Sequence, residues 1–389
     1  MVLICFALQK YAFTQHPIRR NCWKSSSVRF AYNKALHIRS HWYRCHGVSL
    51  NNAKHIQPLL PVAKKSHRYS WLKQADSNAL QVSLQNLDRA FRNFFEKRAK
   101  YPKFKRKHGP QSSYHCSSLK ITADTIKIPK IPAIRANVHR EIIGRVKSIT
   151  ITRNAAGKYY ASILADDGQE AAAKPACITT VAGYDLGLSH YLIGNDGGRV
   201  ANPRHLVNAY RRLRLDSKAL SRKKPGSANR RKARIRLAAQ HERVANARAD
   251  FQHKLSRRII DENQAVIVET LKSANMMKNR RLARHIGDAA WSGFVAKLAY
   301  KAESAGVYLV KLDQWFASSK TCHCCGHKMP EMPLKVRKWT CPGCNAEHDR
   351  DINAAINIQH KGITELMAAG LVVKAHGGLR KSGSVPVAA

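Results

Sequence analysis

The hydrophobic pattern changes period along the chain. Between residues 29 and 46 (RFAYNKALHIRSHWYRCH), Phe30, Tyr32 and Ala35 are spaced to share a face, which predicts a helix. Asp76-Ser77 forms a good cap for a second helix, in which Leu80, Leu84, Leu87, Phe91 and Phe94/Phe95 recur every three or four residues. That stripe reads as core packing. From 119 to 166 the period falls to two: LKITADTIKIPKI predicts one hairpin and SITITRNAAGKYYASILA another, turning at Asn154 to Gly157. The opening MVLICFAL has no basic residue before it and runs at once into Gln9 and Lys10, so it reads as a buried strand rather than a secretion signal. Residues 1–175 are therefore expected to form a small β-barrel carrying a helical insertion, with helices over about 29–100.

After Pro175 the pattern becomes α/β. VAGYDLG, HYLIGNDGG and RVANP predict an antiparallel meander of three short strands. A basic helical hairpin is expected within 208–260, with Leu213, Leu220, Ile235, Val244 and Leu255 as a thin apolar seam and Pro225-Gly226 at its corner. Next come a buried strand (AVIVE, 265–269), a helix around WSGFVAKLAYKAESAG, a strand VYLVKLD and a last helix begun by Asp351. The Gly/Ser/Lys-rich tail, 371–389, is expected to be disordered.

Charge narrows the class of partner. The chain has 69 Lys+Arg against 24 Asp+Glu, a formal net charge of +45 in 389 residues. Self-repulsion on that scale calls for a polyanion, which makes nucleic acid the expected partner over a membrane surface. No run approaches the roughly 18 apolar residues of a membrane span. Lys97, Arg98, Tyr101, Lys103, Phe104, Lys105, Arg106 and Lys107 mix cations with aromatic rings, a combination that grips phosphates and stacks on bases. A second candidate patch is Arg222, Lys223, Lys224, Arg230, Arg231, Lys232 and Arg234; residues 211–260 hold 17 Lys+Arg against three acids.

Four of the ten cysteines fall in two C-x2-C pairs, Cys322/Cys325 and Cys341/Cys344, with 15 residues between the pairs. Four thiolates so spaced close a tetrahedron around one structural Zn2+, as in a zinc ribbon over 320–346. Cys324 lies inside the first pair but lacks knuckle spacing, and His323, His327 and His348 are read as spectators. Cys5, Cys22, Cys45, Cys116 and Cys177 show no framework spacing, which points to a reducing, cytoplasmic compartment.

The second constellation is acidic. Asp185 ends the strand in GYDLG, Glu269 ends AVIVE, and Asp351 opens the last helix. Singly, such acids are turn formers and caps. Together they are what an RNase H-like fold gathers at one end of its sheet, where hard carboxylate ligands hold two Mg2+ or Mn2+ ions for phosphodiester hydrolysis. Asp349, in the same DRD run, competes for the third place.

GYDLGL, VIVETLKSANMMKN, WSGFVAKLAYKAESAG, SSKTCHCCG and CPGC followed by DRDINAAINI resemble, in order, the C-terminal half of TnpB proteins, insertion-sequence-encoded relatives of type V CRISPR nucleases. FAYNKAL, SNALQVSLQNLDRAFRNFF and YPKFKRK extend the resemblance upstream. It implies a wedge-like β-barrel with a helical recognition insert, followed by a RuvC nuclease domain (178–319 and 345–370) interrupted by the ribbon. It also implies RNA-guided DNA cleavage beside a short flanking motif, with guide RNA and target DNA as partners. The expected location is cytoplasmic, nucleoid-associated when DNA-bound; the sequence leaves the oligomeric state open, with a monomer favoured. The catalytic acids it implies are Asp185, Glu269 and Asp351. The first 28 residues depart from the family's usual aromatic-rich opening strand. A binding protein without nuclease activity and a strand-transferring transposase are the competing readings.

Overall fold

The computed structural model describes residues 2–8, 25–106, 113–139, 141–333 and 335–374, in two units divided between Gln169 and Glu170. In the first unit, β1 (Val2–Leu8) precedes three helices, α1 (Ser25–His46), α2 (Leu59–Lys65) and α3 (Ser77–Phe95). The helix after Asp76 forms for the expected reason, since the Asp76 carboxylate accepts from the Ala79 N–H at 3.0 Å. Leu80, Leu84, Leu87 and Phe91 of α3 bury against Ala31, Tyr32, Ala35 and Leu36 of α1. The stripe stops one turn early: Phe94 is half-buried and Phe95 is 68% exposed.

Six short strands follow: β2 (Ser113–Cys116), β3 (Lys120–Ile121), β4 (Thr125–Lys127), β5 (Ile134–Asn137), β6 (Arg145–Arg153) and β7 (Tyr159–Asp166). With β1 they form a seven-stranded sheet in the order β2-β6-β7-β1-β5-β4-β3, every pair antiparallel. Both expected hairpins are present, with Lys120 opposite Lys127 in one and Arg153 opposite Tyr159 in the other. The second turns where Gly157, at φ +82°, donates its N–H to the Asn154 carbonyl at 3.0 Å. The atypical opening segment does supply a strand, lying between β7 and β5 with Val2 opposite Ala165.

The second unit runs β8 (Cys177–Ile178), β9 (Val181–Asp185), β10 (His190–Gly194), β11 (Arg199–Ala201), α4 (His205–Ser221), α5 (Ala228–Glu262) and β12 (Ala265–Glu269). It continues through α6 (Ser273–Met276), α7 (Ala283–Ala289), α8 (Trp291–Ala305), β13 (Tyr308–Leu312), β14 (Lys338–Thr340), β15 (Glu347–Asp349), α9 (Arg350–Ala368) and β16 (Val372–Val373). Five strands form a mixed sheet, β11-β10-β9-β12-β13. The meander β9-β10-β11 is antiparallel, as its tight turns predict, whereas β9, β12 and β13 run parallel. Those three strands are connected through helices, and β12 is buried from Ala265 to Val268 because both sheet faces are covered.

The basic hairpin is α4 and α5, turning at Pro225-Gly226. Its seam is shorter than the sequence pattern predicts. Leu213, Val244 and Leu255 are buried, but Ile235, near the distal end, is exposed. The root of the hairpin is pinned by buried Asp288, which accepts from the Leu206 and Val207 N–H groups and pairs with Arg248 at 3.1 Å. The start of the expected tail is ordered instead, since Val372 and Val373 pair with Cys177 and Ile178; residues 375–389 lie outside the described residues. Among the described residues no helix is long and apolar enough to cross a membrane.

One packing contact sets the position of the last helix. A Cβ on Gly183 of β9 would lie 2.5 Å from the backbone nitrogen of Gln359 and 2.6 Å from the carbonyl of Ala355, both in α9. The missing side chain lets helix backbone rest directly on strand backbone, two residues before Asp185. Gln359 completes the seam by donating its side-chain N–H to the Val181 carbonyl at 2.9 Å.

Candidate functional site

Parallel pairing brings two of the three acids together. Val268 lies opposite Tyr184, so the next residues, Glu269 and Asp185, end adjacent strands side by side. Crevices at the carboxyl ends of parallel strands are where open α/β sheets hold ligands. The two carboxyl groups share a hydrogen bond and are both drawn on by the Leu186 N–H. Burial, and then the charge of Asp351, pushes Asp185 up to about 6. Burial, then the charge and hydrogen bond of Asp185, pushes Glu269 up to about 8. Two carboxylates this close retain a proton between them near neutral pH unless a cation replaces it.

The DRD run divides its labour. Asp349 is the cap of α9, its Oδ1 accepting from the Asp351 and Ile352 N–H groups at 3.0 and 3.2 Å, and it pairs with Arg199 at 2.7 Å. Asp351 has no capping duty. It sits in the first turn of α9, close enough for its charge to act on Asp185, and both its oxygens accept from Arg337 Nη1, at 3.1 and 3.2 Å. Among the described residues, only cysteine-containing groups bring three or more ligand atoms within 4.8 Å of one another; the carboxylates stand wider, with Asp351 held by Arg337.

Arg337, Arg199 and Arg350 escaped the sequence reading. Arg350 is buried, donates to the Pro333 carbonyl at 3.0 Å, and its charge acts downward on the Asp185 carboxyl. None of the three stands in a dense basic run, and only the fold shows that each faces this acidic end. Conversely, some expected nucleic-acid contacts are engaged within the protein. Lys105 lies over the Tyr32 ring at 4.1 Å, with burial pushing its ammonium down, and Tyr101 packs edge-on to Phe91 and Phe94. Arg98 pairs with Glu96, and Arg230 donates to the Lys223 and Leu220 carbonyls that close the α4–α5 turn. Lys97, Lys103, Phe104, Arg106, Arg222, Lys223, Lys224, Arg231, Lys232 and Arg234 are exposed, and Lys107 lies outside the described residues.

The four expected cysteines converge. Sγ of Cys322 is 3.7 Å from that of Cys344, and Cys325 is 3.6 Å from Cys341. Four sulfurs bound tetrahedrally to one zinc stand about 3.8 Å apart, so the cluster fits that ion. Burial opposes the Cys322 thiolate, yet the N–H groups of Cys325 and Cys324 and the His348 ring hold its thiol at about 5. His348 is therefore no spectator: it is buried with Nε2 3.0 Å from the Cys322 sulfur. The first knuckle is bolted to α9 as well. Asn353 donates to the Thr321 carbonyl at 2.8 Å and accepts from the His323 N–H at 3.0 Å, while Asn357 donates to the Ser318 and Thr321 carbonyls. The ribbon thus grips the helix just after Asp351.

Known families match two segments of the chain. The OrfB_IS605 family, described as "Probable transposase", matches residues 165–280, and the "Cas12f1-like, TNB domain" family matches residues 291–358. A protein of Streptomyces pristinaespiralis named "Putative RNA-guided DNA endonuclease" is 38% identical over 359 residues, covering 90% of this chain and 85% of its own. An Escherichia coli K12 relative bearing the same description, InsQ, is 27% identical over 376 residues, covering 92% of this chain and 90% of its own. The fold is similar to that of Cas12f1 in its complex with guide RNA and target DNA, with a TM-score of 0.55 at 14% identity over 86% of this chain and 81% of the other. A relative of this identity and coverage, together with the transposase match across the strand that carries Asp185, leads to one conclusion: the chain belongs to the TnpB family of insertion-sequence-encoded proteins.

Proposed function

We propose that this protein is an RNA-guided DNA endonuclease whose RuvC-like site, Asp185, Glu269 and Asp351, hydrolyses phosphodiester bonds with two divalent cations. The observation that carries the reading is the Asp185–Glu269 pair at the carboxyl ends of two parallel strands, facing the first turn of α9. Hard oxygen donors suit Mg2+ or Mn2+. When bound, such ions supply activation of the attacking water and stabilisation of the leaving oxygen. The chain's own groups prepare the site. To hold such ions, Asp185 and Glu269 would give up the proton they share, and Asp351 would exchange the Arg337 guanidinium for a cation. Arg350 offsets part of the negative charge. The cysteine cluster holds a separate, structural zinc and leaves that ion no open position.

On this reading the antiparallel sheet and helices of the first unit form the wedge-like barrel and recognition insert, binding guide RNA and the flanking DNA motif. Base pairing selects the sequence while the exposed cations at 97–106 and 222–234 contact backbone phosphates. The test uses protein co-purified with its RNA, plasmid DNA carrying a guide-matched target, and Mg2+. Cleavage by the wild type and its loss in Asp185→Ala and Glu269→Ala are expected. Cleavage that survives Asp185→Ala overturns the site, and target binding without any cleavage by the wild type overturns the activity.

A further inference from the structure

Trp315 is 82% exposed, more than any other large hydrophobic side chain among the described residues. Its backbone is held in a tight turn. Asp313 Oδ1 accepts from the Trp315 N–H at 2.8 Å, and the Asp313 carbonyl accepts from the Phe316 N–H at 3.2 Å. Phe316 packs inward against the core cluster of Leu312, Ile267 and Ile358. The turn therefore sets one aromatic ring, half-buried, against the core and its neighbour into solvent, and the packed ring fixes the backbone that carries the exposed one.

Its location gives this exposure a purpose. Leu312 ends β13 directly opposite Glu269, and its carbonyl accepts from the Thr270 N–H at 3.2 Å. Asp185, Glu269 and Leu312 thus end three neighbouring parallel strands, and Trp315 stands three residues beyond the third. Strands lie about 4.8 Å apart, so the indole rises at the same end of the sheet as the carboxylates, within a few nucleotides' reach. Lys311, exposed on the same edge strand four residues earlier, adds a cation to this edge of the sheet.

We propose that Trp315 is a stacking platform for one unpaired base of the substrate strand, positioning a nearby phosphate at the carboxylates. This rests on the nuclease reading above. An indole face stacks on any base, but only where that base lacks a neighbour on one side; in a duplex both faces are covered. The platform therefore favours single-stranded DNA and is indifferent to its sequence, while Lys311 contacts the backbone.

The test pairs the side chain with the base. Guide-loaded protein and its target are compared in single-turnover cleavage for wild type, Trp315→Ala and Trp315→Phe, with intact DNA and with DNA carrying one abasic site at each position around the cut. Trp315→Ala is expected to slow cleavage about tenfold and Trp315→Phe much less. One abasic position should slow the wild type by a similar factor and leave Trp315→Ala unchanged. Trp315→Ala cleaving within twofold of wild type, or an abasic scan that falls equally on both proteins, overturns the platform while leaving the nuclease reading intact. A second arm does not need cleavage: intact single-stranded oligonucleotide should quench indole fluorescence by a component that Trp315→Phe lacks and that the matching abasic oligonucleotide fails to produce. Identical quenching in both proteins overturns the proposal whether or not the nuclease reading holds.

Discussion

Arg337 holds Asp351: one guanidinium nitrogen lies 3.1 and 3.2 Å from the two oxygens of this carboxylate in the first turn of α9. On the two-metal reading, a cation arriving at Asp185 and Glu269 would share or displace that partner to recruit the third acid. Partly exposed ion pairs of this kind contribute about 0.2–1 kcal/mol. Arg337→Ala should therefore lower the Mg2+ concentration that half-saturates cleavage, by up to about fivefold. The titration is followed at fixed ionic strength, and an unchanged midpoint would show that the pair does not compete with the metal.

Asp349 and Asp351 should separate by phenotype. Asp349→Ala removes the cap of α9 and the Arg199 pair, costing about 1 kcal/mol in chemical denaturation, while cleavage persists at temperatures where the protein is folded. Asp351→Ala leaves the cap in place and should change stability little while reducing cleavage at least a hundredfold. The reverse pattern would exchange their roles.

The raised carboxyls make a pH prediction with a definite sign. With Asp185 at about 6 and Glu269 at about 8 in the folded chain, against roughly 4 when unfolded, the native state holds more protons across this window. Their stabilising contribution is full below about pH 4 and is lost as pH rises through 6 to 8. In metal-free protein, the melting temperature relative to Asp185→Asn should therefore fall from pH 5 to pH 8.5. Millimolar Mg2+ should raise the wild-type melting temperature at pH 8.5 and barely move it at pH 5. A wild-type advantage that grows with pH in the absence of metal contradicts the assignment.

Gly183→Ala should damage fold and site together. The added methyl meets helix backbone at 2.5 and 2.6 Å, and backbone cannot swing aside as a flexible side chain would. Overpacking of this type costs about 1–3 kcal/mol. Lifting α9 from β9 also moves Asp351 away from Asp185, so cleavage should fall even at low temperature. Thermal melts and cleavage assays at 15 °C check the two effects separately.

The ribbon should bind one zinc and need all four sulfurs. Cys341→Ser, at a buried ligand position, should lower the melting temperature and abolish the one-to-one zinc content measured by atomic emission. His348→Ala, which removes the ring beside Cys322, should retain zinc but release it faster to a chelator. Unchanged stoichiometry in Cys341→Ser rules out the four-cysteine site.

Local signals were legible where the physics is local. The Asp76 cap, the Asn154–Gly157 turn, the period-two hairpins and the two cysteine pairs each depend on residues a few positions apart, and each appears where its pattern predicts. The acids could be nominated one by one, because an acid ending an apolar strand is visible in the chain itself. What only the tertiary structure decided is which groups meet. Glu269 joins Asp185 because β12 runs parallel to β9 in a particular register, a pairing across 84 residues that no local period encodes. Asp349 rather than Asp351 caps α9, Arg337 and Arg350 face the acids, and Trp315 is left exposed three residues beyond the strand end opposite Glu269. A sequence carries the chemistry of each side chain and the period of its neighbours. Register, the close approach at Gly183 and the direction in which a turn aims its rings arise only when distant elements bury their surfaces against one another.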